Sequence, residues 1–157
     1  MDMGRFNLFR VSLWLALLVF PVSAAHELGH VLACMVAGVP VVDVVVGVWD
    51  FHVVHGVSPV GWVNMVIGLS GGLFAAFSLV PVLGVVRGEA WVVVLGFIYF
   101  QAVNGLVEGF MVGRYGVFLG WMVLPFSLCL GASYRQYVLK NREDEYYGYE
   151  FHGGDQE

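Results

Sequence analysis

Between Val11 and Val42 the chain carries one carboxylate, Glu27, and neither lysine nor arginine. So long an apolar run belongs in a bilayer, where a helix satisfies every backbone N–H and C=O within itself. From about Phe6 to Gly38 it exceeds what one perpendicular crossing of a hydrocarbon core ~30 Å thick requires. No polar turn interrupts it between Val11 and Ala25, so it reads as one long helix kinked at Pro21 rather than a tight two-helix hairpin. A basic start and Val22-Ser23-Ala24 have the look of a signal peptide with its cleavage site. The apolar pattern continues past them, which argues against cleavage.

Three further runs have spanning length: about Val63 to Val86, Ala90 to Val112 and Tyr115 to Val138, with Arg87-Gly88-Glu89 and Gly113-Arg114 as short connections. Composition agrees, at 59% hydrophobic and 12% charged residues with a mean hydropathy of +0.81, far from the balance of a soluble domain. The expected fold is an α-helical integral membrane protein with about four transmembrane helices, residues 1–138 forming a single membrane-embedded domain. With four spans, Arg5, Arg10, Arg87, Arg135, Lys140 and Arg142 fall on one side and Arg114 alone on the other. Lysine and arginine favour the cytoplasmic side, so both termini are expected there.

The net charge of -5 is concentrated in Glu143, Asp144, Glu145, Glu150, Asp155 and Glu157. Residues 139–157 therefore read as an acidic, disordered cytoplasmic tail. No basic stripe exists to bind nucleic acid. Cys34 and Cys129 both lie in apolar runs and read as packing residues rather than a disulfide pair.

From Val41 to Val63 the texture changes. The segment is valine-rich, contains Gly47, Gly56 and Gly61, and alternates apolar with polar residues at Asp50, His52 and Ser58. That is the pattern of a short β-hairpin-like segment. At membrane depth its edge hydrogen bonds need a partner from the protein or from another chain. A substrate could provide one by adding a strand; an ordinary extramembrane loop with a small sheet fits the residues equally well.

Inside the first apolar run stands His26-Glu27-Leu28-Gly29-His30. On a helix the two histidines, four residues apart, project from one face, the geometry for two nitrogen ligands on one zinc ion. Glu27 beside them is placed to take a proton from a water that the metal activates. Three ionisable side chains in such a run are costly unless something satisfies them.

A catalytic zinc site needs a third protein ligand. Of the twelve acidic residues only Glu27 and Glu108 fall inside the expected spans. Glu108 shares a helical face with Asn104, and Gln101 lies three residues before Asn104, so the third span carries one polar stripe. Facing His26 and His30 would give Glu108 a partner. Snorkelling at the span's end and a helix–helix hydrogen bond are the rival readings. His52, His55 and His152 are weaker ligand candidates, being loop or tail histidines.

His26 to Ala33, followed by Ala37-Gly38-Val39-Pro40, resembles the motif helix of the site-2 protease family of intramembrane zinc metalloproteases. Gly68-Leu69-Ser70-Gly71-Gly72-Leu73-Phe74 resembles that family's glycine-rich stretch, and Glu108-Gly109 falls where its Asp-Gly pair is expected. The order matches over roughly residues 20 to 112. Glutamate stands where the family has aspartate, and the prolines that accompany the family's Asn are absent, so the chain resembles a minimal or divergent member.

The resemblance implies zinc held by His26, His30 and Glu108, with Glu27 as general base and then general acid. It gives Asn104 a substrate-binding or orienting role. The implied function is hydrolysis of peptide bonds in or near transmembrane segments of membrane proteins. Gly68, Ser70, Gly71 and Gly72 would then admit a substrate backbone, or else pack helices tightly. The alternative is a non-proteolytic relative serving as a binding or regulatory subunit of a membrane complex. A transporter, channel or haem-binding subunit is the third class. Histidines one helical turn apart cannot flank a porphyrin, which disfavours haem.

Overall fold

The computed structural model describes residues 7–46, 51–110 and 119–152, with side chains of the last stretch described over 125–142. Its first helix, α1 (Leu8–Ala37), is continuous, with Pro21 inside it. Asn7 starts it: the side-chain oxygen accepts from the N–H groups of Phe9 and Arg10 at 3.0 and 3.3 Å, satisfying two donors that have no partner within the helix. Gly38 ends it at φ 67°, a left-handed conformation that glycine adopts without steric cost. There Gly38 N–H donates to the Met35 carbonyl and Val39 N–H to the Cys34 carbonyl, the paired bonds of a Schellman cap. Val39 then packs with Cys34 and Ile67.

The chain returns as an antiparallel hairpin, β1 (Val41–Val46) and β2 (Phe51–His55), in the register Val44↔Val53 and Val46↔Phe51, irregular between Val41 and Asp43. The hairpin lies along α1. Gly56 N–H donates to the Pro40 carbonyl just past the helix end, while the Phe51 ring meets Phe20 edge-on at 6.0 Å between centroids. Asp50, part of the alternation that suggested this hairpin, lies outside the described residues.

Helices α2 (Gly61–Leu83) and α3 (Glu89–Phe110) follow, joined by a short turn with Gly88 at φ 60°. Together with α1 they are the three helices among the described residues long and apolar enough to cross a membrane. The 30 residues of α1 measure about 45 Å at 1.5 Å per residue. The last helix, α4 (Leu119–His152), extends well beyond the expected span and carries helix through much of 139–157. Arg5 and Arg114, two of the seven basic residues that bear on orientation, lie outside the described residues.

Small residues bring α2 against both neighbours. Gly29 of α1 faces the Ser70 carbonyl and Gly71 Cα, while Gly72 of α2 faces the backbone of Gln101 and Gly105. The glycine-rich face of α2 is filled by α1 and α3, the tight packing that small residues permit between membrane helices. An apolar cluster around Val22, Ala75, Leu79, Val93, Val94 and Phe97 completes the three-helix contact. Phe126 of α4 packs on Phe97 and Phe100, each at 5.2 Å between centroids. Cys34 is buried and Cys129 half-buried; both are free thiols.

Candidate metal centre

His26 and His30 lie in the C-terminal half of α1, on the face turned toward α2 and α3. Their Nε2 atoms stand 3.1 Å apart. Glu108, in the last turn of α3, points inward, its Oε2 3.0 Å from His26 Nε2 and 3.3 Å from His30 Nε2. These three atoms form a nearly equilateral triangle. Three ligands of a tetrahedral ion with bonds of about 2.0–2.1 Å stand about 3.3 Å apart, so the triangle matches one face of such a coordination shell. The ligand atoms of His26, Glu27 and His30 also lie within 4.8 Å of one another, a group that could hold a metal ion. Glu108 makes the closer approach to the imidazoles; Glu27 is turned to the hairpin.

The hydrogen bonds behind the triangle decide what it can hold. His30 Nδ1 lies 2.8 Å from the Ile67 carbonyl, which can only accept, so the ring donates there. In its neutral form that leaves a lone pair on Nε2. His26 Nδ1 likewise lies 2.8 Å from Gln101 Oε1. With both rings neutral and donating from Nδ1, two imidazole lone pairs and a carboxylate oxygen would converge with no proton between them; a protonated imidazole would instead pair with Glu108 as an ion. Glu108 Oε2 is a buried oxygen without a hydrogen-bond donor. Three converging acceptors repel one another unless a proton or a metal cation joins them, and the residues present fit a bound metal.

Each outer contact comes from a particular element. Asn104, one turn before Glu108, donates from Nδ2 to Glu108 Oε1 at 2.9 Å; it orients the carboxylate and leaves Oε2 for the imidazoles. Gln101 completes the polar stripe of α3 and is buried. The stripe was visible in the sequence, but nothing there matched Gln101 to His26. On α2, Gly71 lies against both rings: a Cβ there would overlap His30 and come within 2.8 Å of His26 Nε2. Its missing side chain is the space the imidazoles occupy.

Glu27 Oε2 accepts from the Val53 N–H of β2 at 2.9 Å. His52 and His55 do not join the metal group among the described residues; His55 Nδ1 donates to the Gly56 carbonyl at 2.8 Å. The side chain of His152 lies outside the described residues. An open apolar groove between α1 and α2, lined by Leu32, Val36, Trp62, Val66 and Phe74, reaches Gly29 and Ser70 beside the site. No protein-family model matches the chain, and no curated protein or solved structure shows significant similarity to it.

Proposed function

We propose that this chain is an intramembrane zinc endopeptidase of the site-2 protease type, cutting peptide bonds in or near the transmembrane segments of other membrane proteins. The observation that carries the reading is the triangle of His26 Nε2, His30 Nε2 and Glu108 Oε2, at 3.0, 3.3 and 3.1 Å, with Glu27 beside it. Two imidazoles and one carboxylate are a ligand set of catalytic zinc sites, which keep a fourth position open. A zinc ion held there supplies a Lewis acid for the scissile carbonyl and activates a water. Glu27 takes the proton of the attacking water on its carboxylate and delivers it to the leaving amine. Asn104 keeps the Glu108 carboxylate in its orientation throughout.

The substrate is a helix that must unwind locally, because its scissile bond is otherwise covered. An extended segment could pair by strand addition with β1, whose Val42, Val44 and Val46 are exposed. Residues Arg10, Arg87 and Lys140 gather where α1 and α3 begin: Asn7 N–H reaches Glu89 at 3.2 Å, and Lys140 Nζ lies 5.6 Å from the Trp91 ring centroid. That clustering supports a cytoplasmic location for this end of a multi-pass protein.

One observation favours the non-proteolytic reading, a metal-braced subunit of a membrane complex. The His26 and Glu108 side chains are only 8% and 15% exposed, so water has a narrow approach. The deciding experiment uses the detergent-purified protein and its Glu27→Gln variant. Stoichiometric zinc in both, with cleavage of a reconstituted transmembrane substrate by the wild type alone, is the expected result. Zinc without cleavage in the wild type assigns the subunit role. Cleavage by Glu27→Gln removes Glu27 as the base.

A further inference from the structure

The metal-ligand candidates are oriented from the helix bundle, by Gln101, Asn104 and the Ile67 carbonyl. Glu27 is not. Its hydrogen bond runs to the backbone N–H of Val53 at 2.9 Å, and Val53 pairs with Val44 across the hairpin. That N–H therefore points out of the two-stranded ladder toward α1. On the far edge of the same pair, Val44 N–H is taken by the neighbouring Asp43 Oδ1 at 2.8 Å. Both outward amides at the middle of the hairpin are thus satisfied by carboxylates. One is local; the other is the carboxylate of the motif helix.

We infer that the Val53 backbone N–H is the positioning group for Glu27, so that the hairpin, rather than the helix bundle, aims the base. The inference rests on the hydrolytic reading above and deepens it. A glutamate side chain has several rotatable bonds, and fixing one carboxylate oxygen removes most of that freedom while the second oxygen stays available to a water. The donor is fixed in turn. Val53 is held by its ladder to β1, and β2 is held to α1 by the Phe20–Phe51 contact. With the Glu27 carboxylate within 4.8 Å of the imidazole nitrogens, one water spans the distance between base and metal position. Metal binding and base positioning consequently have separate supports, and a change in the hairpin acts on turnover while the metal stays.

Val53→Pro removes the donor while keeping an extended backbone, and Val44→Pro is its matched control on the far edge, where proline is tolerated. Val53→Pro is expected to bind zinc as the wild type does and to cleave a reconstituted transmembrane substrate roughly 10- to 100-fold more slowly in kcat, the range for loss of an orienting contact. KM should stay within a few-fold, and Val44→Pro, which lies on the edge offered to substrate, should keep the wild-type kcat whatever it does to KM. A wild-type kcat in Val53→Pro overturns the inference. Amide hydrogen exchange at Val53 gives a second readout that needs neither proline nor activity. Val53 N–H should exchange slowly in the wild type and in Glu27→Gln, whose side-chain oxygen still accepts, and fast in Glu27→Ala. Equal exchange in wild type and Glu27→Ala overturns the inference even where Val53→Pro fails to fold. A wild type that cleaves nothing, with Val53 protection that still depends on Glu27, defeats the protease reading and leaves the positioning contact standing.

Discussion

The Nε2 atoms of His26 and His30 face each other at 3.1 Å while both Nδ1 atoms are already engaged, His26 with Gln101 and His30 with the Ile67 carbonyl. Neutral rings held this way present lone pairs to one another and to Glu108, an arrangement that a metal cation stabilises. Zinc should therefore raise the thermal stability of the folded protein. At a free concentration about 100-fold above Kd, linkage gives about 2.7 kcal/mol. Unfolding in detergent with zinc, and after removal by a chelator, measures it. A His26→Ala, His30→Ala double variant should show no such shift.

Glu108 separates charge from shape. Glu108→Gln keeps the side-chain length and the Asn104 contact but puts a neutral amide where the carboxylate faces the imidazoles. Zinc affinity should fall at least about 100-fold, because ligating oxygens of this kind are deprotonated carboxylates. Glu108→Asp keeps the charge and withdraws it by one methylene, so its loss should be smaller. Chelator competition ranks the variants; wild-type affinity in Glu108→Gln would remove this residue from the ligand set.

How much of this could be read from the chain follows from what each residue depends on. The i, i+4 spacing of His26 and His30 is local, so their common face is fixed by helix geometry alone. Glu108 was found by elimination, because burying a carboxylate in an apolar span is costly and few are there. Asn104 was grouped with Glu108 by its one-turn spacing, although its contact with the Oε1 oxygen needed side-chain geometry. The Ile67 carbonyl carries no side-chain signature, and Gly71 reads only as a small residue until α1 is packed against it. The hairpin was legible as a valine-rich segment, whereas its Val44↔Val53 register and the bond to Glu27 come from tertiary structure. The reach of α4 to His152 is not legible in the sequence, because hydropathy marks where a helix leaves the apolar phase, not where the helix ends.

Gln101 tests whether the orienting contacts matter. Its oxygen accepts from His26 Nδ1 at 2.8 Å, fixing the tautomer that offers Nε2 to a metal. Gln101→Leu fills similar volume without an acceptor and should weaken zinc binding about 10- to 100-fold. Gln101→Glu restores an acceptor and should bind close to wild type. Cobalt substitution adds a spectroscopic check, since a displaced imidazole alters the visible bands. Equal affinity in the Leu and Glu variants would assign Gln101 a packing role only.

Gly71 is the steric counterpart of these contacts. A Cβ at this position would overlap the His30 ring and approach His26 Nε2 at 2.8 Å, so either the rings or α2 must shift in Gly71→Ala. Helix α2 has little room to yield, because its Gly72 abuts the Gln101 and Gly105 backbone and its Ser70 carbonyl abuts Gly29. The rings must move, and their Nδ1 bonds to Gln101 and the Ile67 carbonyl break with them. Gly71→Ala should therefore lose stoichiometric zinc while keeping wild-type helix content by circular dichroism. Gly131→Ala, where an added Cβ meets nothing within 4 Å, should leave both unchanged. Zinc at wild-type stoichiometry in Gly71→Ala would mean that the imidazoles do not need the space this glycine leaves them.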